Sequence, residues 1–185
     1  MKMEILMSSL LLIHIVSGFS AILFGMSIMM KSKGDVWHRR LGIAFYYSSL
    51  VNATSAILMA FFKTELYLFF IGLFSLYMVL SGRMSIRDKL NKKTQFVLNF
   101  LMSIVGFAFL IFAFHEFSSS MILGVILMIF AVIAFLLVFL DFRELKKSKH
   151  SREQAIPIHL TKMMSAFIAS VTAFFVVNNR LLPPL

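Results

Sequence analysis

The side chains in this 185-residue chain best placed to do chemistry are its five histidines, and three of them sit in settings that repay attention. His14 lies inside a long apolar run, four residues before Gly18, and an ionisable group in such a run is a candidate for function by default. His14, Gly18, Ala21 and Gly25 recur at helical spacing, a stripe small enough to let another helix or a flat ligand come close. His38 precedes Arg39, Arg40 and Gly42, and His159 opens the last apolar run. An imidazole in these places can hydrogen-bond between helices, contact a phosphate or an anionic substrate, or ligate a metal. His115 and His150 fall at a helix end and in a charged segment. There is no cysteine, which excludes disulfides, thiolate metal sites, iron–sulfur clusters and cysteine nucleophiles. No G-x-S-x-G, H-E-x-x-H, phosphate-binding glycine loop or dinucleotide fingerprint occurs, so no catalytic residue is assigned.

The elements that must position these histidines follow from composition. Hydrophobic residues make up 60% of the chain and charged residues only 14%, where a soluble domain has about a quarter of its residues charged. The expected fold is all-α, a polytopic bundle of six transmembrane helices forming one membrane domain over residues 1–185. A span needs about 20 mostly apolar residues, because each adds about 1.5 Å across a hydrocarbon core of about 30 Å. Six segments qualify: 5–30, 41–62, 66–82, 94–115, 121–140 and 157–177. The first is too long for the core of a secretory signal and has no convincing cleavage site, so it counts as a span. Pro157 suits the first turn of the last helix, and Pro183 and Pro184 follow its end.

Charge sets the orientation. Loops 31–40, 83–93 and 141–156, with Lys162, hold 15 of the 18 lysines and arginines, leaving Lys2, Lys63 and Arg180 for the other side. The positive-inside rule makes those loops cytoplasmic and both termini extracytoplasmic. Orientation thus accounts for the net charge of +10, and no nucleic-acid partner is expected. The eight acids, Asp141 among them, all fall at or beyond span ends, which weighs against a carboxylate-driven transporter or metal site.

Helical rise places His14 about 24 Å from the inner end of its span, Asn52 about 17 Å and Thr172 about 20 Å from theirs. His14, Asn52 and Thr172 could therefore share a layer, with Thr54, Ser55 and Ser170 nearby, lining a small cavity or forming an interhelical network. Depth also limits a b-type haem to His38 with His159 inside, or His14 with His115 outside, the second pair mismatched by about 8 Å. Methionine and phenylalanine are spread through every span, as lipid contact and packing require.

Several segments resemble a family of bacterial integral membrane proteins known only as a domain of unknown function. They are the H-x-x-x-G at His14, the K-G-x-x-x-H-R-x-x-G loop from Lys33 to Gly42, His159, and the TAFFVVN stretch from Thr172 to Asn178. The resemblance covers most of the chain and implies a bacterial plasma-membrane protein, but it supplies no reaction. The sequence therefore points to a membrane protein that binds or transports a small ligand or lipid through His14, Gly18, Asn52, Thr172 and Asn178, with His38, Arg39 and His159 at the inner rim. Two alternatives remain open: a haem-binding redox protein, and an accessory subunit or homo-oligomer packed through Ser17, Ala21 and Gly25.

Overall fold

The computed structural model describes residues 2–86, 92–145 and 152–177. They form six helices: α1 (Lys2–Met29), α2 (Val36–Lys63), α3 (Leu66–Ile86), α4 (Lys92–Glu116), α5 (Met121–Leu145) and α6 (Arg152–Val177). All six are long and apolar enough to cross a membrane. Large apolar side chains such as Leu12, Phe61, Ile111 and Ile122 point outward on several helices, an exterior that suits hydrocarbon and not water.

The helices outrun their apolar segments at the basic end. α2 begins at Val36, α3 continues to Ile86, α5 to Leu145, and α6 starts at Arg152. Much of the sequence expected as loops 31–40, 83–93 and 141–156 is thus helical, because hydropathy marks the hydrocarbon boundary and hydrogen bonding marks the helix end. Pro157 consequently lies inside α6 and not in its first turn, where the missing N–H removes one backbone bond. The start of α2 has a clear local cause: the Asp35 side chain accepts from the backbone N–H of His38, satisfying a donor that the first turn leaves open. Its other end closes on Thr64, left-handed at φ 57°, whose N–H returns to the carbonyls of Ala60 and Phe61.

Contacts between neighbouring helices run in opposite order, as an up-and-down bundle requires. Gly72 meets Ile57 while Arg83 lies over Tyr46, and Gly124 meets Phe117 while Phe96 stacks near Phe142. The connections α1–α2, α3–α4 and α5–α6 therefore share one end, called the basic end below.

α3 is the central element. It packs on α2, α4 and α6 and buries Gly72, Phe74, Tyr77, Met78, Val79, Ser81 and Gly82, which cover most of its circumference. Phe74 of α3, Phe109 of α4 and Phe130 of α5 form a three-ring cluster with centroids 5.2 to 6.0 Å apart, each such pair contributing about 0.5–1.5 kcal/mol beyond its buried area. α5 presents Gly124, Leu127, Ala131, Ala134, Val138 and Asp141, a stripe at steps of three and four that lets α4 approach closely. Gly25 of α1 serves the same end: a Cβ there would stand 2.3 Å from the Phe167 ring of α6. Ala21 and Gly25 are both buried within the chain, and Ser17 bonds back to the carbonyls of Ile13 and His14. Of the small-residue face expected to meet a partner, Ala21 and Gly25 are thus covered by the protein's own helices, while Ser17 stays partly exposed.

Candidate functional site

Two polar layers lie inside the bundle. The first joins α1 to α2. His14 Nδ1 stands 3.1 Å from the Asn52 carbonyl and 3.2 Å from Ser55 Oγ, while the Ser55 hydroxyl donates to that same carbonyl at 2.9 Å. A carbonyl only accepts, so Nδ1 carries the proton and Nε2 keeps a lone pair. Gly18 lies one turn further along α1, where a Cβ would come within 3.0 Å of Asn52 Oδ1. The structure thus brings His14, Gly18, Asn52 and Ser55 together. Thr172 is exposed on α6, Ser170 bonds to its own helix at Ala166, and Asn178 lies outside the described residues.

The second layer is charged and draws on four helices. Asp141 of α5 is 1% exposed and Lys162 of α6 is 2% exposed. The Lys162 ammonium sits 2.6 Å from Asp141 Oδ1 and 2.8 Å from Oδ2. The Tyr77 hydroxyl of α3 donates to Oδ2 and also lies 3.3 Å from Asn99 Oδ1 of α4. Asn99 is fully buried. Glu144, one turn beyond Asp141, also acts on Lys162 electrostatically. Helical rise puts Asn99 and Tyr77 about 10 and 14 Å from the basic ends of their helices. Asp141 keeps its expected place near a span end, about one turn before the end of α5, but it is helical and buried among the helices, where the fall in hydropathy predicts the first residue of a loop.

At the basic end, His159 Nδ1 lies 2.7 Å from the carbonyl of Gly82. Gly82 permits the approach, since a Cβ would stand 3.1 Å from Lys162 Cβ. His38 acts on His159 electrostatically, and its Nδ1 is buried without a hydrogen-bond partner among the described residues. Arg39 is exposed, whereas Arg83 turns in to lie 4.2 Å from the Tyr46 ring centre. His115 is exposed on α4 and pairs with Glu116 at 3.3 Å, while α1 packs on α2 and α6. The outer haem pair, His14 with His115, is therefore not assembled. Among the described residues, no group of three or more His, Asp or Glu is placed to hold a metal ion.

Sequence reasoning missed the second layer, although a signal for it exists. Asp141 continues the α5 stripe, and Lys162 shares one α6 face with Ala155, His159 and Ala166. Tyr77 and Asn99 carry no comparable signal, being single polar residues in apolar runs.

Six apolar antiparallel helices enclosing a buried ion pair define a multi-pass α-helical membrane protein. Comparison with family models, with curated proteins and with solved structures returned no match.

Proposed function

We propose that this protein is a carrier of a small charged solute in the bacterial plasma membrane, with Tyr77, Asn99, Asp141 and Lys162 as the solute-binding centre. One observation carries the reading: an acid and a base, both almost wholly buried, face each other inside helices built to span a bilayer. Burying two charges is expensive, and hydrophobic residues of similar volume often stabilise as well or better. Ionisable groups held in such places commonly mark substrate or ion pathways. His14 is less suited to hold a solute, since its Nδ1 is turned onto the backbone of α2 and its expected companion Thr172 is exposed on α6. In this reading His14, Gly18 and Asn52 form the outer layer that fastens α1 to α2, and His38 and His159 form the inner rim through which an anionic or cationic group passes.

The test is thermal stability in detergent against a panel of inorganic ions, amino acids, polyamines and organic acids. A solute bound only by the folded state at about 100 times its Kd stabilises by about 2.7 kcal/mol. At least one solute should raise the Tm of the native protein and leave an Asp141→Leu/Lys162→Met double variant unmoved. Equal shifts in both proteins, or none in either across the panel, would end this reading.

Orientation belongs to the same proposal, with the basic end cytoplasmic and both termini outside. Because the chain lacks cysteine, single-cysteine variants report cleanly. Ser119→Cys should react with an impermeant thiol reagent in intact cells and Ser32→Cys only after lysis; the opposite pattern inverts the topology.

A further inference from the structure

The atoms around Lys162 have an uneven hydrogen-bonding balance. A phenol has a single proton, and Tyr77 gives it to Asp141. Asn99, with its amide 3.3 Å from the phenol oxygen, can then bond Tyr77 only by turning its NH2 toward it. That turn exchanges Oδ1 for Nδ2 and puts the carbonyl oxygen in the buried position where Nδ2 now lies without a partner. Ser81, one turn beyond Tyr77 on α3, adds a buried hydroxyl whose proton can reach the phenol oxygen and whose own oxygen has no donor among the described residues. The two carboxylate oxygens hold the ammonium directly, and the phenol oxygen, the amide and the Ser81 hydroxyl continue the same buried network outward from Asp141. Every acceptor in the cluster is an oxygen, and all five side chains are buried. Oxygen-only ligation of this kind suits a hard cation. A single charge suits it best, since Asp141 balances one positive charge and a surplus would be buried uncompensated.

We propose that Asp141, Asn99, Ser81 and Tyr77 form a binding site for a small monovalent inorganic cation, and that the Lys162 ammonium is its resident competitor. The inference rests on the reading of this network as a solute-binding centre and names the solute. When the cation binds at Asp141, Lys162 releases one proton and withdraws as a neutral amine; when the cation leaves, Lys162 takes the proton back. Each exchange trades one positive charge for one, so the buried network never holds an unbalanced charge. Glu144, one turn nearer the basic end and already within electrostatic reach of Lys162, marks the side on which the proton reaches water.

The experiment uses the purified full chain in detergent with minimal buffer. LiCl, NaCl, KCl or choline chloride is added across a neutral to alkaline pH series while an indicator follows proton release. An alkali chloride should release stoichiometric protons and choline chloride should not. Asp141→Asn should abolish the release. Lys162→Arg preserves the ion pair but cannot shed a proton, so it should fold and release nothing. Lys162→Met, with the competitor removed, should be stabilised by the same alkali cation without proton release; if it fails to fold, the Lys162→Arg comparison decides alone. Equal release with choline, release by Lys162→Arg, or no release with any alkali cation overturns the proposal. If another solute of the stability panel binds while alkali cations release no proton, the cation assignment fails and the carrier reading stands. If nothing in the panel binds either, both fail.

Discussion

The two polar layers of this bundle solve the same problem differently. The His14 layer spans only α1 and α2 and gives the imidazole one backbone carbonyl and one hydroxyl as partners. The Asp141 layer is charged and recruits α3, α4, α5 and α6. A neutral polar group in a low-dielectric interior needs one or two partners, and adjacent helices can supply them. A carboxylate and an ammonium need each other and further hydrogen bonds besides, so four helices must converge. A helix pair can thus be fastened locally, whereas a buried charge pair binds the whole arrangement together. The first layer should tolerate loss, and the second should not.

The largest effect is expected from unbalancing the charged layer. Asp141→Leu leaves Lys162 buried without its counter-ion, and breaking such a pair destabilises by about 3–5 kcal/mol. The double variant Asp141→Leu/Lys162→Met removes both charges and should recover most of that loss, while a solute-binding role predicts that binding stays lost. Chemical denaturation of the two variants in detergent measures the difference. A double variant no more stable than the single one would show that the pair is not the coupled unit described here.

His14→Ala should be milder. Hydrogen bonds between membrane helices contribute about 0.6 kcal/mol on average and up to about 1.7. A loss of about 1 kcal/mol, with the α3 to α6 network unaffected, is the expected outcome of the same denaturation measurement. A loss as large as that of Asp141→Leu would erase the distinction between the layers.

How much of this could be read from the sequence depends on what each signal encodes. The six spans were legible because the bilayer fixes the length of an apolar run. The basic end was legible because lysine and arginine crowd into alternate connections of the chain. The meeting of His14 with Asn52 was foreshadowed by depth, since a helix climbs at a fixed rise per residue. Depth alone could not give azimuth: Thr172 was placed at a comparable height but faces outward on α6. The charged layer failed for a related reason. A hydropathy window stops at Leu140 and hands Asp141 to the loop, whereas the helical stripe from Gly124 to Val138 continues onto it. Recognising the pair also required knowing that α5 and α6 bring those two faces together around α3, which no local pattern encodes.

The smallest effect sharpens the comparison furthest. Thr172 is exposed on α6, so Thr172→Val exchanges a hydroxyl for a methyl group of similar volume on a surface that meets lipid. Substitutions away from packed or bonded features usually stay within about 0.5 kcal/mol, and Thr172→Val should do so, in the His14→Ala background as well as alone. A loss near that of His14→Ala would mean that α6 contributes a bond to the first layer. A non-additive double variant would point to the same conclusion, because side chains that do not touch add independently. In that case three helices would meet at His14, the outer layer would enclose a site of its own, and the proposed carrier path would hold two polar stations instead of one.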